Sequence, residues 1–264
     1  MDLFILLLVG VCAGTLAGLL GIGGGAVIVP FLVHVFAHQG LVADVAMPLA
    51  IGTSLATMAV TAVFSFRAHH GRGAVDWTVF RRMAPGVLAG GVIGPLIATV
   101  LPGRTLYTLF ACFLLVVSVE MFFGGRTRPH RHLPGPAAVT GVGVAIGTVA
   151  SLVGISGGSM TVPFLTWCSV PVRTAVGTAA AVGFPIVVAG ALTFIATGWL
   201  HAGLPAWSLG FVSLPAFGGI VLGGVLFAPL GARLAHAVSE RALRRAFGVF
   251  LVVVGVKMLL QSDI

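Results

Sequence analysis

The chain has 264 residues, of which 58% are hydrophobic and only 8% are charged. Apolar runs of about 18 residues or more recur along it, which is typical of membrane-spanning helices and excludes an ordinary water-soluble domain. The formal net charge is +8. Because basic connectors orient a protein in the lipid bilayer, this charge indicates orientation and not a nucleic-acid partner.

The apolar segments form two series in the same order. The first half has an interrupted segment at 3–37, followed by continuous segments at 44–66, 78–101 and 105–123. A basic linker rich in helix breakers occupies 126–136. The second half has an interrupted segment at 137–170, followed by continuous segments at 174–198, 207–228 and 242–260. We therefore predict an all-α integral membrane protein built from two repeats, 1–125 and 137–264.

The two interrupted segments carry nearly the same sequence. Residues 18–32 and 151–165 are identical at nine of fifteen positions, and each copy has a glycine cluster between two apolar arms. The second arm, 26–37 or 159–170, would span only about 18 Å as a helix, against a hydrocarbon core of about 30 Å. Each segment is therefore predicted to be a re-entrant helical hairpin with its glycine tip near mid-membrane. Two full crossings per segment would give the same orientation for the rest of the chain, and the short second arm favours the hairpin.

The distribution of basic residues tests this topology. With one hairpin and three full crossings in each half, the two repeats are inverted relative to each other. Twelve of the fourteen Lys and Arg then lie on one side of the membrane, and only Arg104 and Lys257 lie on the other. The positive-inside rule makes the crowded side cytoplasmic. We thus expect two inverted repeats joined by a cytoplasmic linker, with both chain termini on the non-cytoplasmic side.

The hairpin tips are the first candidate for a binding site. In lipid, irregular backbone survives only inside protein or against a watery cavity, and equivalent breaks in two halves point to the site of a transporter. A helix that begins at Ala26 or Ser159 would offer free N–H groups and a partial positive charge to an anion. The predicted substrate-binding residues of the tips are Gly21, Gly23, Gly24, Gly25, Gly154, Ser156, Gly157, Gly158 and Ser159.

Hydroxyl residues that open the next spans could line the same cavity. These are Thr53 and Ser54 in the first half and Thr178 in the second. The structural alternatives are that the glycines only allow close helix packing and that the hydroxyls bond to their own helices.

Ionisable residues inside apolar segments are candidates for coupling or gating. Glu120 and Lys257 lie near the ends of predicted spans, and His34 lies in the short arm of the first hairpin, where it could titrate near neutral pH. We predict no cofactor, no metal site and no catalytic residue. The pattern Gly154-x-Ser156-x-Gly158 also fits a nucleophile elbow, but its counterpart in the first repeat has Gly23 in place of the serine.

The paired tips, each with a following Pro-Phe-Leu, and the Gly52-Thr53-Ser54 element resemble the sulfite exporter TauE/SafE family over essentially the whole chain. The second repeat keeps the last element only as Gly177-Thr178-Ala179. The resemblance implies a bacterial inner-membrane permease that moves sulfite, an organosulfonate or a related sulfur-containing anion, with coupling to H+ often inferred. It assigns the family motifs to the glycines and Ser156 of the two tips, with Pro30 and Pro163.

We therefore expect an alternating-access transporter that binds a small anion between the two tips. An anion channel with re-entrant loops is the alternative, and an intramembrane serine protease using Ser156 is a less favoured one. The sequence leaves open which anion is carried, in which direction, with which coupling ion, and whether the protein forms an oligomer.

Overall fold

Regular structure in this protein is helical. The computed structural model describes residues 8, 10–11, 24–123, 133–201, 203–235 and 240–261. Within them lie nine helices: α1 Gly25–His38, α2 Ala43–Gly71, α3 Trp77–Val100, α4 Gly103–Phe123, α5 Pro136–Leu152, α6 Gly158–Trp167, α7 Val172–Gly198, α8 Leu214–Ala235 and α9 Glu240–Gln261. The predicted all-α class is confirmed for the described residues.

Four of these helices, α2, α3, α4 and α7, are long and apolar enough to cross a membrane. By contrast, α1 has 14 residues and α6 has 10, which correspond to about 21 Å and 15 Å of helix. Neither length reaches across a hydrocarbon core of about 30 Å. A crossing by α8 or α9 remains a prediction. The predicted leading arm of the first hairpin lies almost wholly outside the described residues.

Helix α8 begins at Leu214, and the predicted helical start at residue 207 is therefore wrong. Trp207 and Gly210 have positive φ, which a helix does not tolerate. An isolated bridge joins Ser208 to Ser213, and the Phe211 N–H donates to the Phe194 carbonyl of α7. The segment 207–213 is thus a loop whose last four residues, 210–213, are buried, whereas Trp207 and Leu209 are exposed. Hydropathy alone cannot distinguish such an apolar loop from a helix.

Equivalent helices of the two repeats pack against each other in opposite directions. In the pair α2 and α7, a Cβ on Gly52 would lie 3.0 Å from the Cβ of Phe194, and one on Gly190 would lie 2.8 Å from a methyl of Leu55. Residue 52 of α2 thus contacts residue 194 of α7, whereas residue 55, later in α2, contacts residue 190, earlier in α7. Helices α2 and α7 therefore run antiparallel.

The pair α4 and α9 shows the same relation. Gly248 of α9 lies against Phe122, whereas Gly255 lies against Leu115, nearer the start of α4. This pair is antiparallel as well. Small residues at each contact let the helices approach closely, as is usual for helices packed in membranes.

Helix α5, the predicted leading arm of the second hairpin, packs on α3 of the first repeat. Gly86, Gly90 and Gly94 recur every four residues on α3 and form one face of it. A Cβ on any of them would collide with α5 backbone, and one on Gly94 would also collide with the Ser151 hydroxyl. That hydroxyl donates to the Gly90 carbonyl across the interface (3.1 Å) and to the Gly147 carbonyl in its own helix (2.7 Å). The arm is therefore held to α3 by both packing and hydrogen bonding.

Candidate functional site

The second glycine tip connects α5 to α6 through two left-handed residues. Gly154 has φ +74° and Gly157 has φ +75°. A side chain at either position would be strained by about 1–3 kcal/mol. The glycines at these two positions are therefore required by the backbone itself, in addition to any role in packing.

The two tips meet. A Cβ on Gly25, the first residue of α1, would collide with the carbonyl oxygen of Gly154 and lie 3.0 Å from a methyl of Ile155. Gly24 caps α1 in the right-handed region, with φ −70°. Gly21 and Gly23 lie outside the described residues. The structure thus brings together the described parts of both predicted tips.

Side chains from α2 and α7 hold the second tip on two sides. The buried Ser54 hydroxyl donates to the Gly154 carbonyl oxygen (2.9 Å). On the other side, a Cβ on Gly183 of α7 would lie 2.8 Å from the Ser156 carbonyl oxygen. Ser54 therefore contacts the predicted site as a positioning group. The Ser156 backbone packs against helix α7, and none of the described hydrogen bonds joins the Ser156 hydroxyl to a histidine.

The beginning of α6 carries unused hydrogen-bonding capacity. The Gly157 carbonyl accepts the N–H groups of Met160 and Thr161, but no side chain caps the helix. The first N–H groups of a helix have no partner within it, so those of Gly158 and Ser159 are available. The Ser159 Oγ is buried and has no hydrogen-bond partner among the described residues. A buried hydroxyl without a partner costs about 1–3 kcal/mol, which a bound acceptor would recover.

Prolines follow both tips. Pro30 and Pro163 are each the sixth residue of their helix. Because proline has no N–H, the carbonyls of Ala26 and Ser159 do not receive the usual bond from four residues on. Helical carbonyls point toward the C-terminal end of the helix, so these two point away from the N–H groups at the tips.

The other predicted hydroxyl, Thr53, faces away from the tips. Its Oγ1 donates to the Leu49 carbonyl (2.6 Å) and accepts the N–H of Ser213 (2.9 Å), in the loop before α8. The neighbouring Gly52 leaves room for the Phe211 carbonyl of the same loop. The pair Gly52-Thr53 of the first repeat therefore binds a loop of the second repeat, and we call such a Gly-Thr pair a loop seat.

The second repeat contains the reciprocal seat. The Thr178 Oγ1 accepts the N–H of Asp76 (2.9 Å), in the loop before α3, and Gly177 leaves room for the Ala74 carbonyl of that loop. Both threonines are fully buried. This arrangement was not predicted from the sequence, although the recurrence of Gly-Thr in both halves was a visible signal for a shared role. A direct contact of either threonine with substrate remains a prediction.

The three coupling candidates lie apart from the tips. The Nε2 of His34 lies 3.2 Å from that of His38, and Lys257 acts electrostatically on His34. Because Gly248 faces Met121 and Phe122, the position of Glu120 on α4 is more than two helical turns from that of Lys257 on α9. Antiparallel packing therefore separates Glu120 from Lys257, although the two residues occupy equivalent repeat positions. Their roles in coupling remain predictions.

An open apolar groove of about 750 Å³ lies between α3 and α7. It contains none of the predicted site residues, and its lining includes Leu88, Val92, Phe184 and Leu192. A groove with such walls offers nothing to an anion and suits a lipid acyl chain. The candidate site therefore lies at the tips and not in this groove.

Comparison with known proteins identifies relatives over nearly the full length. The family model described as sulfite exporter TauE/SafE matches residues 6–258. A probable membrane transporter protein of Haemophilus influenzae is 35% identical over 257 residues, covering 97% of each chain. Probable membrane transporter protein YunE of Bacillus subtilis is 26% identical over 285 residues, covering 99% of each chain. One from Methanocaldococcus jannaschii is 26% identical over 262 residues, covering 97% of this chain and 95% of its own. No solved structure matches the chain.

Proposed function

The chain belongs to the sulfite exporter TauE/SafE family of multi-pass membrane proteins, and from this premise we propose that it moves a small anion by alternating access. The proposed cargo is sulfite, an organosulfonate or a related sulfur-containing anion, and the proposed coupling ion is H+. The proposed location is the bacterial inner membrane, with both termini on the non-cytoplasmic side. The relatives are named only as probable membrane transporters, so the cargo rests on the family description and on the chemistry of the tips.

The observation that carries this proposal is the meeting of the two tips. Gly25, the first residue of α1, packs against Gly154, and α6 begins four residues after Gly154, at Gly158. The N-terminus of α6 offers the free N–H groups of Gly158 and Ser159 and about half an elementary positive charge, and the N-terminus of α1 is proposed to contribute likewise. The unpartnered hydroxyl of Ser159 lies at the start of α6. An anion between the tips would receive donors from both repeats.

The partial positive charges of the two helix N-termini favour an anion of low valence. The tip segments 21–25 and 154–159 contain no Lys or Arg, so the positive charge at the tips comes from backbone dipoles. Two N-termini supply about one elementary charge together, which balances a monoanion. A dianion would retain about one uncompensated charge in a site of low dielectric constant. We therefore expect monoanions to be preferred.

The packing of equivalent helices supports inverted repeats. In such an arrangement, each helix of one repeat runs opposite to its counterpart in the other. Both observed pairs of counterparts, α2 with α7 and α4 with α9, are antiparallel. Inverted repeats allow the two states of a transporter to exchange by a movement of one half against the other around a fixed site.

The experiment that tests the function is a flux measurement in proteoliposomes. Radiolabelled sulfite, sulfate and methanesulfonate would be offered with and without a pH gradient, and empty vesicles would serve as the control. A saturable flux that the pH gradient accelerates supports a proton-coupled transporter. A flux that rises linearly with concentration indicates a channel instead. The absence of flux for all three anions would overturn the proposed cargo class.

A further inference from the structure

Two histidines stand one helical turn apart at the end of α1. The Nε2 atoms of His34 and His38 are 3.2 Å apart, and the ring centroids are 4.5 Å apart with an interplanar angle of 87°. Residues four apart share one face of a helix. Both side chains are exposed. The two imidazoles therefore bring their Nε2 atoms together on an exposed face of the helix.

We propose that His34 and His38 chelate a divalent transition-metal ion, with Cu(II) bound most tightly. Imidazole is a common ligand of copper, nickel and zinc, and affinity among these ions peaks at Cu(II). Two metal–nitrogen bonds of about 2.0–2.1 Å to atoms 3.2 Å apart enclose an angle of about 100–106° at the metal. This angle lies between the square-planar and the tetrahedral values. The distance between the two nitrogens therefore already suits chelation, once any proton shared between them is lost.

The surroundings define the strength and chemistry of this site. His38 is in the last turn of α1, where the helix end carries partial negative charge and attracts a cation. The positive charge of Lys257, by contrast, acts on His34 and repels a cation there, which weakens metal binding. No third His, Cys, Asp or Glu joins the pair within the described part of the chain. The remaining coordination positions are therefore open to water or to an anion.

Protons compete with the metal for the same nitrogens, because a coordinating imidazole must be neutral. Low pH would thus release the ion. This inference is independent of the proposed cargo, since metal binding can be measured without transport. A bound ion would place positive charge beside the end of the first hairpin, where it could attract or retain an anion.

The test uses the full-length protein in detergent, purified without a histidine tag. His130 and His132 of the linker are replaced by Ala to remove a competing tract. Cu(II) is titrated by calorimetry, and its ligands are read by electron paramagnetic resonance. We expect one tight site with two nitrogen ligands. Each of His34→Ala and His38→Ala should weaken binding at least about tenfold, a loss that even an outer partner of a metal site can cause.

Register variants separate chelation from adventitious binding. Moving the second histidine to position 37, with His38→Ala and Ala37→His, keeps it on the same face and should restore tight binding. Moving it to position 39, with His38→Ala and Gln39→His, turns it off that face and should not. Cu(II) binding that survives His34→Ala, or that is equally tight in the position-39 variant, would overturn the proposal. Each variant is first checked for a monodisperse elution profile, and since the replaced side chains are exposed the fold should be retained.

Discussion

The unpartnered hydroxyl of Ser159 gives the sharpest test of the tip site. Its Oγ is buried without a hydrogen bond, so Ser159→Ala removes an unsatisfied group from the folded protein. The free energy of unfolding should therefore be unchanged or rise, by at most about 1–3 kcal/mol. If the hydroxyl donates to a bound anion, the same change removes about 0.5–3 kcal/mol of binding energy. Apparent affinity for the anion should then fall about two- to 150-fold.

Ser151→Ala is the matched control, because this buried hydroxyl already has acceptors on α3 and in its own helix. It should lower the free energy of unfolding by about 0.5–1.5 kcal/mol and leave anion affinity unchanged. Unfolding would be followed by a thermal melt in detergent, and affinity by the concentration dependence of flux in proteoliposomes. The reasoning is refuted if Ser159→Ala destabilises the protein as Ser151→Ala does while affinity stays constant. Such a result would mean that Ser159 has a structural partner and does not contact the anion.

Three further predictions concern the backbone, the loop seats and the topology, and a fourth concerns the cargo. Gly157→Val should nearly abolish flux, because it strains a residue at φ +75° by about 1–3 kcal/mol, whereas Gly141→Val, at a glycine with open space around it, should transport normally. Thr53→Val leaves the Ser213 N–H buried without its acceptor and should lower the free energy of unfolding by about 1–3 kcal/mol in the same thermal melt. In a cysteine-free background, a cysteine at Arg104 should react with an impermeant thiol reagent in intact cells and one at Arg72 should not; the reverse pattern would overturn the orientation. Methanesulfonate, a monoanion, should be carried with higher affinity than sulfate, and equal affinities would contradict the balance of one charge by two helix ends.

Glycine and proline made the break at the second tip predictable from the sequence, whereas most of the first tip lies outside the described residues. A cluster of glycines inside an apolar run favours a break in a membrane helix, and its recurrence before Pro30 and Pro163 indicated equivalent elements. The second tip at 154–157 is indeed non-helical and bounded by helices. The sequence could not indicate that Gly25 contacts Gly154, because that contact depends on how two distant segments pack.

The partly buried loop before α8 was the main error of the sequence-based prediction. The run 207–213 is apolar enough to be taken for the start of a helix, yet its backbone turns at Trp207 and Gly210. Burial of a loop requires partners for its backbone groups, and these partners are far away in the chain. The Ser213 N–H bonds to Thr53, 160 residues earlier. Hydropathy averages the composition of a short stretch of sequence, so it carries no information on a hydrogen-bond partner that lies far away in the chain.

The loop seats also bear on how a chain of this kind can originate. The first repeat offers a Gly-Thr seat to a loop of the second, and the second repeat returns the same contact to a loop of the first. Reciprocal use of one surface is the defining property of an isologous two-fold interface, normally found between two copies of one subunit. A half-length ancestor inserted in both orientations would satisfy each seat with its partner's loop. Fusion of two such copies would then fix their orientations, and the basic linker at 126–136 would decide which half faces which side.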